Sequence, residues 1–330
     1  MGGIWGSREY FNDALIEIAG YKAGVILTDA ELFDIMREDP EVSRILDPAG
    51  PGGGRIHSSG FEEAVTLLLY KLGNIASPDN ISITIELFHK YSKAGQGELY
   101  QSVMEAYLPF MEAELVKEQP TGKIDPTPLI TAMYDKHGRP GADLVLELIS
   151  GVNRDLHRSA WGSIRNIDWK DSVELRDLFA SAGLETQHGK FIDQRYIDYL
   201  AQNFDKIDSM HWRKFEAFTA EFFDREGYKV VLGPGSNDDG VDLRVYPLEA
   251  DPDLPPMIIV QCKRQKAKIE KALVKSVYAD VLHENADSGL IVTTSTLAPG
   301  AETTRTARNY PIEAADRDTL RGWIDKLRSI

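Results

Sequence analysis

The sequence predicts a mainly α-helical N-terminal domain over residues 1–208, followed by an α/β domain over 209–330. Three observations carry this. The chain has 330 residues, longer than a usual single domain of roughly 100–200. Up to Asp208, apolar residues recur at three-and-four spacing behind helix caps. After Asp208, one helix gives way to short apolar strands alternating with further helices.

Taken in order, Thr28 with Glu31 three residues on is a capping box for a helix over TDAELFDIMRE, and Ser59 can cap GFEEAVTLLLYKLG. ELYQSVMEAYLPFMEAELV has the spacing of an amphipathic helix, and further helices are expected at 142–152, 171–182 and 191–205. The Pro/Gly-rich segments 47–55 and 117–128 read as loops. The GPGGGR run lacks the Gly-Lys-Ser/Thr ending and the preceding strand of a phosphate loop. Beyond Asp208, Ser209 is the expected N-cap of a helix with Phe215, Phe218 and Phe222 on one stripe, and Gly227 suits its left-handed end. Strands are expected at 241–246, 257–262 and 289–294, with helices at 268–284, 298–309 and 317–328.

Composition narrows the functional classes. With 42% hydrophobic residues but no run of the ~18 apolar residues that a membrane span needs, a membrane partner is not expected. MGGIWGSREYFND has no basic stretch followed by an apolar one, and a cytoplasmic location is expected. The single cysteine, Cys262, rules out an intramolecular disulfide and a multi-cysteine zinc site. A net charge of −15 argues against coating nucleic acid by bulk electrostatics. The charge is uneven, however: 20 Lys and Arg face 33 Asp and Glu in residues 1–208, against 17 and 19 in 209–330. Gln261–Lys275 carries Lys263, Arg264, Lys266, Lys268, Lys271 and Lys275 against Glu270 alone.

Strand alternation places Asp242 with Arg244 and Tyr246 on one face, and Gln261 with Lys263 on one face of the next strand. If the strands are neighbours, a carboxylate, an amide oxygen and an ammonium meet near the strand ends. Phosphodiester hydrolysis asks for such a set: a hard oxygen ligand for Mg²⁺, an activated water, and a cation for the charge developing on phosphorus. Gln261 is a weaker ligand than a carboxylate, so a second acid is wanted; Glu216 fits, with Glu221 on the same helix as its competitor. Lys263 would accept a proton from water or stabilise charge. Cys262 is expected to face the core. Arg264 and the lysines at 266, 268, 271 and 275 read either as DNA contacts or as a solvated face. Thr293, Thr294 and Ser295 read either as phosphate-binding hydroxyls or as a strand-end cap, and Arg305 and Arg308 are equally open.

The blocks FEAFTAEFFDREGYKV, SNDDGVDLRV, IIVQCKR and SGLIVTTSTLAPGA, in that order, resemble the catalytic domain of Mrr-like restriction endonucleases of the PD-(D/E)xK superfamily. The resemblance implies a restriction-endonuclease-like fold, a mixed central sheet flanked by helices, and Mg²⁺-dependent DNA cleavage for which Mn²⁺ would substitute. Its acid-x-Lys signature in the Gln form falls on Gln261-Cys262-Lys263, its helix glutamate on Glu216 and its Gly-hydrophobic-Asp aspartate on Asp242. Metal ligation is thereby implied for Asp242, Gln261 and Glu216. Where the family commonly has a second glycine, this chain has Asp239, a secondary candidate. The resemblance covers about 120 residues, leaving 1–208 to recognition, regulation or assembly. Expected partners are double-stranded DNA, a second or further copies of the chain, and a protein of an anti-phage or restriction system. An inactive DNA-binding scaffold and a ribonuclease are the alternatives.

Overall fold

Local chemistry starts the helices where their ends can be satisfied. In a computed structural model the chain is described over residues 2–79, 81–116, 124–162, 165, 167, 169–235, 240–250 and 254–328. It opens with β1 (Gly3–Ser7), α1 (Arg8–Ala23), β2 (Val25–Ile26), α2 (Asp29–Met36), α3 (Pro40–Leu46), β3 (Gly53–His57) and α4 (Ser58–Lys71). There follow α5 (Ile83–Lys93), α6 (Gly97–Val116), α7 (Thr127–His137), α8 (Arg139–Arg158), β4 (Val173–Glu174), α9 (Asp177–Ala180), α10 (Gln194–Gln202) and a 3₁₀ turn (Phe204–Ser209). The last part holds α11 (Trp212–Arg225), β5 (Tyr228–Leu232), β6 (Leu243–Pro247), β7 (Ile258–Lys263), α12 (Lys271–Glu284), β8 (Ser288–Thr293), α13 (Pro299–Ala307), β9 (Ile312–Ala315) and α14 (Arg317–Leu327).

The Thr28–Glu31 capping box forms as the sequence predicts, with both reciprocal bonds present. Other starts differ. His57, not Ser59, caps α4, its Nδ1 accepting the Ser59 amide at 3.3 Å. His211, not Ser209, caps α11 by accepting the Arg213 amide at 3.2 Å. Burial and the nearby cations of Arg264 and Lys214 hold the His211 pKa below its ordinary value, which keeps the imidazole neutral and able to accept. Gly227 follows the last turn of α11 with a φ of 90°, the left-handed geometry that lacks a Cβ penalty only in glycine. The helix expected at 171–182 is instead the short strand β4 and the one-turn α9, because Val173 and Glu174 pair in parallel with Val25 and Ile26. The loop expected at 47–55 ends early, since Gly53–Arg55 already belong to β3. Of the loop expected at 117–128, residues 117–123 lie outside the described residues.

The chain divides into two compact units. One, drawn from residues 1–4, 56–66 and 77–168, is helical, with Leu87 and Tyr91 of α5, Val103 of α6, Met133 of α7 and Leu144 and Leu148 of α8 in a common core. The other takes residues 5–55, 67–76 and 169–330. At its centre is a five-stranded mixed sheet of order β5-β6-β7-β8-β9, antiparallel across β5-β6-β7 and parallel across β7-β8-β9. Ile259 and Ile291 pack with Val274, Val277 and Val281 of α12. The alternate face meets α11, where the Cys262 thiol contacts the Thr219 hydroxyl at 3.6 Å. Trp323 of α14 stacks on Phe222 of α11 with ring centres 4.0 Å apart.

Residues before the sheet are part of this second unit. Gln194 of α10 and Arg225 of α11 both donate to the Leu327 carbonyl of α14, at 2.9 and 3.1 Å. Asp193, the α10 cap, forms a buried pair with Arg195 at 2.7 Å, and Arg195 also donates to the Gly24 and Asp171 carbonyls. Burial alone would raise the Asp193 carboxyl; the hydrogen bonds and charge of Arg195 outweigh it and hold the carboxyl below its usual value. A depressed folded-state pKa contributes stability that is present above the ordinary carboxylate range and lost as pH falls through the folded value. Asp193→Asn removes the nearer of the two carboxylates paired with buried Arg195, leaving Asp171 at 3.8 Å, and is expected to cost about 3 kcal/mol. Urea unfolding as a function of pH checks this: the variant should be weaker at neutral pH and should lose less than the parent on acidification.

Candidate active site

The site grows from the end of the β6–β7 ladder. Leu243 pairs with Val260, and one residue earlier the Asp242 amide donates to the Val260 carbonyl at 2.9 Å. The Asp242 carboxylate then accepts the Cys262 amide at 2.6 Å, so backbone and side chain of one residue both hold β7. On the other side the Gly233 amide at the end of β5 donates to the Asp242 carbonyl at 2.8 Å. Asp242 is 7% exposed and lines an open cleft of about 330 Å³ with Glu216, Lys263, Arg264 and Trp212. The aspartate, helix glutamate and lysine singled out in the sequence therefore share one cleft.

Gln261, expected to meet Asp242 and Lys263 at one point, does not line the cleft and is buried at 6% exposure. Gly240, with a φ of 91°, approaches so closely that a Cβ there would lie 2.9 Å from Gln261 Nε2. The amide oxygen has no hydrogen-bond partner among the described residues. A buried acceptor left unpaired costs free energy, and a hard cation is one kind of partner that would satisfy it. Among the described residues no group of three or more His, Cys, Asp or Glu side chains gathers to hold a metal. The oxygens of Asp242 and Glu216 at the cleft and the unpaired Gln261 oxygen are of the hard type that a divalent cation takes.

The two candidate acids of α11 separate by their surroundings. Glu221 accepts the backbone amides of Lys190 and Phe191 at 2.9 and 2.7 Å and pairs with Arg225 at 2.8 Å; its oxygens tie a loop to the helix. Glu216 borders the cleft and accepts from Arg213 at 2.7 Å. Arg213 and Trp212 were not singled out from the sequence. The signal for Arg213 was its place one turn before Glu216, the spacing at which opposite charges pair on a helix.

Cys262 is buried, as alternation predicts, with its thiol against Thr219 of α11, and it also lines the cleft. Burial pushes its thiol well above the ordinary pKa, the carboxylates of Asp242 and Glu216 push it further, and the Thr219 hydroxyl and Lys263 ammonium act in the opposite direction. One sulfur therefore feels Asp242, Glu216 and Lys263 together. Asp239 lies outside the described residues.

The basic segment after β7 is exposed at Arg264, Lys266, Lys268, Lys271 and Lys275. Lys266 and Lys268 precede α12, on a stretch that the Ile269–Leu297 bridge joins to the chain after β8. Arg264 donates to the Asp208 carbonyl at 3.0 Å. Thr293 and Thr294 are placed differently from what a phosphate would need: both are buried, and their hydroxyls donate to the Lys263 and Gln265 carbonyls at 2.8 and 3.2 Å. Ser295 Oγ donates to the Lys266 carbonyl at 3.2 Å. These three hydroxyls stitch the segment after β7 to the end of β8. Arg305 is held by Glu302 and Glu313, and Arg308 donates to the Tyr310 hydroxyl at 3.0 Å.

A mixed sheet with two acids and a lysine lining one strand-end cleft is consistent with a nuclease. Residues 207–324 match the family described as restriction endonuclease, Mrr_cat, and this stretch is an Mrr-like catalytic nuclease domain. Among curated proteins, the uncharacterized protein y4cE of Sinorhizobium fredii (strain NBRC 101917 / NGR234) is 25% identical over 122 residues, 37% of this chain and 31% of that relative. The chain thus matches less than a third of that relative's length. No solved structure matches the chain.

A thiol that is buried and costly to ionise is a poor nucleophile. Iodoacetamide at mildly alkaline pH is expected to leave the folded protein unlabelled and to label it once in denaturant, as read by intact-mass spectrometry. Rapid native labelling would contradict the burial of Cys262.

Proposed function

We propose that the chain is a Mg²⁺-dependent endonuclease acting on double-stranded DNA, in restriction or anti-phage defence. The observation that carries the chemistry is the convergence of Asp242, Glu216 and Lys263 on one cleft, beside a buried Gln261 oxygen that lacks a partner among the described residues. Asp242, Gln261 and Glu216 would hold the metal. When bound, the divalent cation would supply a more acidic water and Lewis-acid stabilisation of the phosphate's charge.

The protein's own groups supply the rest. The Lys263 side chain, half-buried at the cleft, offers an ammonium to the charge that builds on phosphorus in the transition state. The Cys262 amide fixes the Asp242 carboxylate, so its geometry does not have to be found anew in each catalytic cycle. Arg264 and Lys266, Lys268, Lys271 and Lys275 present positive charge on a segment contiguous with Lys263 and would take the phosphates on either side of the cut, an attraction weakened by salt. The expected assembly has two or more copies, one site per strand, and the acidic N-terminal elements serve recognition, regulation or assembly.

Supercoiled plasmid with Mg²⁺ or Mn²⁺ tests the reading. The parent should nick and linearise it, and Asp242→Asn and Lys263→Ala should each lower the rate by roughly 10²–10³-fold, the scale for losing a group that stabilises transition-state charge. Cutting that survives both substitutions unchanged overturns the assignment of the site. Cutting confined to RNA would transfer it to the ribonuclease alternative.

A further inference from the structure

We infer that Arg213 is a positioning residue that locks the helix carboxylate of the cleft to the strand carboxylate, and so sets the affinity of the site for a divalent cation. The inference rests on the reading of Asp242, Glu216 and Gln261 as the metal-holding set. Its guanidinium makes two hydrogen bonds in opposite directions. Nη1 donates to Glu216 Oε2 at 2.7 Å, and Nη2 donates to the Gly233 carbonyl, also at 2.7 Å. The Gly233 amide in turn donates to the Asp242 carbonyl. Glu216, Arg213, Gly233 and Asp242 thus form one chain of contacts that runs from α11 through the end of β5 to the start of β6.

The surroundings are built for that contact. The side chains of Arg213 and Glu216 are 15% and 7% exposed, so their pairing is screened far less than a surface ion pair. Gly235, with a φ of 84°, lies against the guanidinium, and a Cβ there would stand 3.0 Å from Nη1. The adjacent Lys214 turns the other way, donating to the Gly183 carbonyl and lying over the Tyr196 ring. Of the two consecutive cations, only Arg213 serves the cleft. A planar fork that bonds a carboxylate with one nitrogen and a carbonyl with another is a task that a lysine ammonium meets poorly.

Groups that orient metal ligands from behind change metal affinity by about 10- to 100-fold when removed. Mn²⁺ alone is the probe, its free fraction read by electron paramagnetic resonance on the full chain. The set is the parent, Arg213→Gln, Glu216→Gln, the double variant, Arg213→Lys and Asp242→Asn, with circular dichroism as the check of folding. Arg213→Gln and Glu216→Gln should each weaken Mn²⁺ binding by at least about tenfold, and the double variant should be no weaker than Glu216→Gln, because Arg213 acts through that carboxylate. Arg213→Lys should recover part of the loss; if the glutamine variant does not fold, a lysine variant that binds like the parent overturns the inference. It is also overturned if Arg213→Gln binds like the parent or if the two losses multiply. Should Asp242→Asn lose binding while both Arg213→Gln and Glu216→Gln keep it, the metal site stands and the role of Arg213 fails. Should Asp242→Asn also bind like the parent, the metal reading itself falls.

Discussion

The hydrogen bond from the Cys262 amide to the Asp242 carboxylate is the constraint on which the cleft depends. In an ordinary ladder a backbone carbonyl accepts a strand amide; here a side-chain carboxylate does so. That substitution holds β7 to the residue that precedes β6, and it fixes a charged group without a dedicated second residue. An ionised acceptor makes a stronger and shorter hydrogen bond than a neutral one, and the burial of the pair removes the competition of water. Helix α11 then has only to deliver Glu216 to a point already defined by the strands.

The same economy governs charge. Taken as a whole the chain is acidic, yet the cations that matter are placed by contacts of short range: Lys263 on the strand, Arg213 one turn before Glu216, and the exposed lysines just beyond β7. Beyond about 10 Å the remaining surface charge is largely screened at ordinary salt. A strongly acidic protein and a site able to receive a polyanion are therefore compatible, provided that the positive groups adjoin the reacting phosphate.

Much of this was legible in the amino-acid order where a local rule decides it. Alternation sets Gln261 and Lys263 on the face opposite Cys262, and Cys262 is buried against Thr219 of α11; Asp242 and Lys263 line the cleft, whereas Gln261 does not. Caps were less secure. Ser209 and Ser59 have the preferred chemistry for an N-cap, but His211 and His57 accept the first-turn amides instead. The helix expected at 171–182 failed for a non-local reason, since β4 exists by pairing with β2 about 150 residues earlier. Glu216 and Glu221 could not be told apart along the helix; the loop at Lys190 and Phe191 that occupies Glu221 arrives from another part of the chain. Thr293 and Thr294 look available in the sequence, and only the return of the segment after β7 shows that their hydroxyls are spent on its backbone.

One compact unit combines residues 5–55, 67–76 and 169–330, whereas the family match begins at 207. The portion that can be recognised across proteins is thus narrower than the portion that folds. Within the recognised stretch, Glu221 accepts the Lys190 and Phe191 amides at 2.9 and 2.7 Å, and the His211 amide donates to the Leu178 carbonyl at 2.9 Å, all to partners that precede residue 207. For gene dissection, a nuclease module transplanted at the family boundary would leave these partners behind. An exchange that kept this unit whole would have to carry its three separated segments together.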